Sequence, residues 1–221
     1  MWRADKMKYL DQTLATPAEN IACDEELLAA AERGDGGEVL RVWESPETFV
    51  VVGYGNRIET EVNVAACAAR NIPVLRRCSG GGTVVQGRGC LSYALVLRIA
   101  DNVELRNVTA ANRFIMGRNR AAFEAEVRGQ RSEVRVEAQG YTDLTVDGLK
   151  FSGNAQRRRR NFILFHGTFL LNFDLALIGE LLPMPSRQPC YREARAHEQF
   201  LTNLPLPAIT VKSALRQAWG A

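Results

Sequence analysis

The chain is short of histidine: of 221 residues only two are histidine, His166 and His197, so a histidine-rich metal centre is excluded. Its cysteines, Cys23, Cys67, Cys78, Cys90 and Cys190, are odd in number and widely spaced. That pattern fits neither a disulfide framework nor a paired zinc set, and the thiols are read as reduced. No apolar run approaches the roughly 20 residues of a membrane-spanning helix. The first nine residues mix charge with apolar side chains and lack the apolar core and cleavage site of a secretory signal, so a cytoplasmic protein with no membrane partner is expected. Neither charge sign dominates, with 28 basic against 25 acidic residues and a net charge of +3, which gives no ground for nucleic-acid binding. A hydrophobic fraction of 46% with 24% charged residues excludes disorder. One domain over residues 1–221 is expected.

What is present reads as an α+β pattern. Thr16-Pro17-Ala18-Glu19 is an N-cap, a first-turn proline and a capping-box glutamate, opening a helix that Gly34 closes. Runs at Val39–Trp43 and at 48–53 predict strands, and the spacing over 62–70 predicts a helix ended by Asn71 and Pro73. Strands are predicted over 73–77, 83–85 and 91–99, placing the glycines of Cys78-Ser79-Gly80-Gly81-Gly82 between strands. Helical spacing covers 109–127, and 133–137 alternates polar with apolar residues. Asp147-Gly148, between 141–146 and 149–156, is a type I′ hairpin signal. Strict alternation along the second strand predicts Lys150, Ser152, Asn154 and Gln156 on one face. A strand over 162–173, a helix that Asp174 caps through Leu182, and a helix over 211–219 complete the reading. Strands and helices do not alternate regularly enough for a doubly wound parallel sheet.

Three features carry candidate chemistry. Three consecutive glycines remove every Cβ from one approach, so backbone N–H groups can meet an anion or a flat ligand, with Arg76 and Arg77 adding donors. The bland alternative is a flexible hairpin loop. Neither a Walker loop nor a dinucleotide fingerprint fits, since no Gly-Lys-Ser/Thr and no helix follow. Lys150, one of only four lysines, stands on a strand where its charge can face a phosphate or a polarised carbonyl, although an exposed hairpin lysine is the commoner case. His166, alternating with Leu164 and Thr168, is by default a satisfied core histidine. The run Arg157 to Arg160 suits a solvated loop or an acidic partner.

The ordered set is more specific than its parts. Arg-Arg-x-Ser-Gly-Gly-Gly-Thr-Val, Gly89-x-Leu91-x-Tyr93, Asp143-Leu144, Asp147-Gly148-x-Lys150-x-Ser152-Gly153-Asn154-Ala155-Gln156 and His166-Gly167-Thr168-x-Leu170-Leu171 together resemble the catalytic domain of lipoate-protein ligase A and its relatives in the biotin and lipoate ligase superfamily, over about residues 15–205. The resemblance implies a mixed, largely antiparallel sheet backed by helices. It implies a two-step reaction in which ATP and Mg2+ convert lipoate or octanoate to an acyl adenylate, and a lysine of an acidic lipoyl acceptor domain then attacks it. On that likeness Lys150 is the essential lysine, and Arg77, Ser79, Gly80, Gly81, Gly82, Thr83, Val84 and Val85 bind substrate. Asp143 holds the metal or the adenylate, and His166 sits near the nucleotide. The accessory C-terminal domain of full-length ligases, roughly 80 to 100 residues, is expected to be absent, dispensed with or supplied by a separate accessory subunit. ATP-dependent ligation is therefore the expected activity. The alternatives are octanoyl transfer from an acyl carrier protein and an inactive accessory or binding subunit. The likeness to one transferase branch implies a cysteine about fifteen residues before the motif lysine, where this chain has Arg135.

Overall fold

A computed structural model describes residues 7–100, 102–130 and 134–221. The first six residues of the N-terminal stretch, and Glu133 of the alternating run, lie outside them. The chain begins with strand β1 (Lys8–Asp11), then α1 (Pro17–Arg33), β2 (Val39–Trp43), β3 (Phe49–Val52), the short helices α2 (Ile58–Glu61) and α3 (Val64–Ala69), and β4 (Val74–Arg76). It continues through β5 (Val84–Gln86), β6 (Cys90–Arg98), α4 (Val108–Gln130), β7 (Val136–Gln139), β8 (Asp143–Val146), β9 (Leu149–Arg158) and β10 (Phe162–Leu170). Three helices close it: α5 (Ala176–Leu181), α6 (His197–Phe200) and α7 (Ala208–Trp219).

Seven strands form one sheet in the order β1-β2-β6-β10-β9-β8-β7. Every neighbouring pair is antiparallel except β1 with β2. This is the expected α+β class with a mixed, largely antiparallel sheet. One face is covered by α4 and α7, whose Ile115, Phe123, Leu215 and Trp219 pack on Tyr93, Phe165 and Phe169. The other face takes α1 through Leu28 and Ala31 against Ala94, Val96 and Leu164. The α1 start is as read: Thr16 Oγ1 accepts from the Glu19 amide at 3.2 Å while the Glu19 carboxylate accepts from the Thr16 amide at 2.8 Å.

A second sheet, β4-β3-β5, packs with α3 and α5. Strands β4 and β5 both pair with β3, one parallel and one antiparallel. The glycine loop between them therefore spans the width of β3 and is not a hairpin turn. The helix expected over 62–70 is α3, which starts at Val64 because the Asn63 side chain caps the Ala66 amide, and the short α2 before it is an element the sequence reading did not identify. Strand β1 is an element the sequence reading did not identify.

The predicted face of β9 is corrected. A register shift falls between Leu144 and Thr145, with Leu144 opposite Ser152 and Thr145 opposite Lys150, so Phe151 is the extra residue of a bulge. Beyond it Ser152 and Asn154 pair with Phe169 and Gly167, and Gln156 bonds Asn112 of α4, so these three lie on the α4 side. Lys150 is turned to the opposite side, toward Asp143. Strict alternation fails here because one inserted residue reverses every side chain beyond it.

Candidate active site

The cavity between the two sheets has a volume of about 830 Å³. Its wall includes Arg77, Gly80, Gly81, Gly82, Thr83, Val84, Val85, Asp143, Lys150 and His166, which brings together every residue expected at the site except Ser79. The glycine loop is held in shape by the arginines before it. Arg77, 9% exposed, donates from Nη2 to the Gly80 and Gly82 carbonyls at 2.6 and 2.7 Å and from Nε to Ser79 Oγ at 3.0 Å. Burial pulls its guanidinium down to about 10. Arg76 does the same for the neighbouring turn, donating to the Gly53, Tyr54 and Asn56 carbonyls. The donors expected to meet a ligand are thus engaged by backbone carbonyls, those of the loop for Arg77 and those of the neighbouring turn for Arg76, and what the loop offers the cavity is backbone. Gly53 has to be glycine, since a Cβ there would stand 2.1 Å from the Gly81 carbonyl oxygen.

Behind the loop lies a buried polar chain. Ser79, fully buried, shares a hydrogen bond of 2.6 Å with His166 Nε2. On the other side of the ring, His166 Nδ1 stands 3.8 Å from Asp24 Oδ2. Asp24 in turn pairs at 2.5 Å with Arg41, whose guanidinium also donates to Asn20 and to the Gln12 carbonyl. The hydroxyl of Ser79 is therefore part of the scaffold that fixes the loop, and His166 links that scaffold to α1.

Facing the loop, Lys150 Nζ is 2.8 Å from Asp143 Oδ1, and Tyr191 donates its hydroxyl to Asp143 Oδ2 at 2.7 Å. Burial, reinforced by the neighbouring carboxylate, pushes the Tyr191 phenol well above its ordinary value. Both Asp143 oxygens are thus engaged by a cation and a hydroxyl, and the described residues contain no group of three metal-ligating side chains. Asp143 builds no all-protein cation cage, and its role is to hold Lys150 and Tyr191.

The fourth wall was not legible in the sequence reading, which passed from Leu182 to Val211. A strap over 183–201 crosses the cavity, bringing Arg192, His197 and Phe200 into its wall. It is tied down by the Tyr191–Asp143 bond, by Ser186 bonding Glu61, and by Thr202 N donating to the Lys150 carbonyl. The available signal was Tyr191-Arg192-x-x-Arg195-x-His197, which carries one of only two histidines. Burial, with Arg192 and Lys150 nearby, lowers the His197 pKa.

The arginine run divides. Arg157 lies 5.6 Å over the Tyr54 ring on the cavity side, whereas Arg158 donates to the Leu105 carbonyl on the α4 side. Only Arg159 and Arg160 are exposed. None of the five cysteines lines the cavity. Burial raises the Cys78 thiol to about 11 and the Cys90 thiol to about 12.

A family model described as the lipoyl protein ligase A/B catalytic domain matches residues 16–212. Among curated relatives, octanoyltransferase LipM of Geobacillus kaustophilus (strain HTA426) is 25% identical over 227 residues, covering 94% of this chain and 81% of the relative. Octanoyltransferase LipM of Carboxydothermus hydrogenoformans is 28% identical over 210 residues, covering 87% and 78%. Among solved structures, a lipoate-protein ligase A bound with ATP superposes with a TM-score of 0.78 at 22% identity, covering 97% of this chain and 84% of that one. A bi-partite lipoate protein ligase from Thermoplasma acidophilum, described with its E2 lipoyl domain, gives a TM-score of 0.74 at 20% identity, covering 97% and 82%. The structural likenesses confirm the expected fold. The curated relatives overturn the expected activity: they are octanoyltransferases, and ATP-dependent activation of lipoate is withdrawn for this chain.

Proposed function

The chain belongs to the lipoyl protein ligase A/B catalytic domain family, and from that premise we propose that it transfers an octanoyl group from an acyl carrier protein to a lysine of a lipoyl acceptor domain. One observation carries the reading. A fixed ammonium, Lys150 held at 2.8 Å by Asp143, faces a backbone loop across a partly apolar cavity of about 830 Å³. The apolar wall, with Val51, Val84, Val85 and Leu170 among its residues, suits a medium acyl chain.

The chemistry follows from what faces the cavity. Position 135 is an exposed arginine, and the cysteines stand off the wall. The acceptor amine therefore attacks the donor's thioester carbonyl directly, with no acyl-enzyme. As the C–N bond forms, negative charge on the carbonyl oxygen is stabilised by Lys150 and the loop amides. The C–S bond then breaks, and the leaving thiolate takes up the proton released by the amine. The strap and the glycine loop exclude water from the thioester meanwhile. Lys150, Asp143, Gly80–Gly82 and Thr83–Val85 are assigned to this step, with Ser79, Arg77 and His166 supporting the loop.

The test is to mix the protein with octanoyl-loaded acyl carrier protein and an unmodified lipoyl domain and read intact mass. Octanoylation of the acceptor lysine without nucleotide is expected. Modification that requires free octanoate and ATP would overturn the proposal.

A further inference from the structure

The strap over 183–201 holds Lys150 in two ways. Where it ends, the Lys150 carbonyl accepts from the Thr202 amide at 2.9 Å, beside the bridge between Lys150 and Leu201. Further back it reaches the side chain: Tyr191 donates its hydroxyl to Asp143 Oδ2 at 2.7 Å, and Asp143 Oδ1 holds the Lys150 ammonium at 2.8 Å. One carboxylate therefore stands between the tyrosine and the lysine and gives a different oxygen to each. An aspartate carboxylate turns in a broad, two-fold torsional well, so a single partner leaves it room to rotate and a second partner on the other oxygen fixes its plane. A lysine is a flexible point charge that points where its counter-ion lies. The Lys150 side chain is 24% exposed, so packing alone does not aim it.

Tyr191 is itself held from several sides. Its ring lies 5.2 Å from the Phe200 ring of α6, and Arg195 Nη2 donates to its carbonyl at 2.8 Å. The turn between β7 and β8 abuts both members of the bond: a Cβ on Gly140 would stand 3.4 Å from Tyr191 Cε1 and 3.9 Å from Asp143 Oδ2. The backbone is bent to keep this arrangement, since Glu193 and Ala194 hold φ of 52° and 56°, a left-handed conformation that neither side chain favours. Burial and the adjacent carboxylate keep the phenol protonated, so its hydroxyl stays a donor to Asp143 at neutral pH.

We propose that Tyr191 is a positioning residue for octanoyl transfer: by fixing the plane of the Asp143 carboxylate it aims the Lys150 ammonium at the thioester carbonyl. This rests on the octanoyl-transfer reading and gives the strap a part in the chemical step besides excluding water. A preorganised charge stabilises the transition state only while its direction is kept, so the loss of the Tyr191 hydroxyl falls on turnover and not on donor binding.

The test follows transfer from octanoyl-loaded acyl carrier protein to a lipoyl domain by intact mass, with melting curves confirming that each variant is folded. Y191F keeps the ring and removes the hydroxyl; it is expected to lower kcat by about tenfold, the worth of one hydrogen bond to a charged group, and to leave KM for the donor within about twofold. In a D143A background the same change is expected to cost less than about twofold, because a residue that acts through Asp143 then has nothing to orient. S186A cuts the strap's tether to Glu61 and leaves the Tyr191–Asp143 bond in place. It is expected to lower kcat by less than about twofold, which separates aim from strap closure. The Y191F split and the S186A control stand without the D143A background. An unchanged kcat in Y191F, or a loss carried by KM alone, would overturn the proposal, as would a loss that persists undiminished in D143A or that S186A reproduces. Absence of transfer from the loaded carrier protein by wild-type protein would instead remove the reading on which the proposal rests.

Discussion

Replacing Asp24 by asparagine tests the buried chain that supports the glycine loop. Asp24 is 3% exposed and its partner Arg41 is fully buried, with Nη1 on Asp24 Oδ1 at 2.5 Å and on the Asn20 carbonyl at 2.9 Å, and Nη2 on Gln12 O and Asn20 Oδ1 at 3.0 and 2.6 Å. Asparagine keeps the shape and an accepting oxygen but removes the charge, leaving a guanidinium in the interior without a counter-ion. Breaking a buried pair costs about 3–5 kcal/mol, and the retained oxygen places this change near 3. For a chain of this size each kcal/mol moves the melting temperature by about 2–4 °C, so D24N is expected to melt about 6–12 °C lower. R41K separates charge from geometry: one ammonium cannot reach all four acceptors, and a loss at least as large is expected. Differential scanning calorimetry reads both. A D24N midpoint within 2 °C of wild type would refute the reasoning, since it would mean Arg41 does not depend on that carboxylate.

Four further outcomes follow from the same geometry. K150A is expected to lower octanoyl transfer by at least about 100-fold while the protein stays folded, because the ammonium acts on charge that develops during the reaction; near-normal transfer by intact mass would remove Lys150 from the step. G167A would set a Cβ 2.0 Å from Asn154 Oδ1, which accepts from the Tyr93 hydroxyl at 2.6 Å; a loss of at least about 2 kcal/mol in urea unfolding is expected from that displaced buried bond. Iodoacetamide at pH 8 is expected to label exposed Cys190 long before Cys90 or Cys78, and C190S is expected to transfer octanoyl normally; an acyl thioester trapped on any cysteine would refute direct attack. R157S, which removes the cation stacked on Tyr54 at the cavity side, is expected to slow association with an acidic acceptor at low salt, with the difference fading as screening shortens to about 8 Å at physiological ionic strength; an unchanged salt dependence would rule it out as a docking residue.

How far the sequence could be read depended on how local each determinant was. The start of α1 was legible because a capping box is confined to Thr16 and Glu19, and the Asp147-Gly148 turn because two residues carry it. The glycine loop was legible as a ligand-facing element, but its arginines were not legible as internal braces: Arg76 reaches carbonyls 53, 54 and 56 in the turn after β3, and Arg77, although its partners at 79, 80 and 82 are local, curls back onto them in a loop whose path is set by β4 and β5 flanking β3. The β9 face failed for a sharper reason. A bulge is a mismatch between two strands, and the sequence of β9 alone contains nothing that makes Phe151 the unpaired residue. Yet that mismatch determines the chemistry: with strict alternation Lys150 would share the α4 face with Ser152 and Asn154, where Asn154 already bonds the Tyr93 hydroxyl and the Thr142 carbonyl. The inserted residue releases the lysine from that network and turns it to Asp143 and the strap. The strap is the converse case, a segment without regular periodicity whose residues become meaningful only once β8 and β9 give Tyr191 and Arg192 something to face. The residues that bind and react here were thus found best where they lay on regular elements. Those that set their direction and charge depended on contacts that no single stretch of sequence contains.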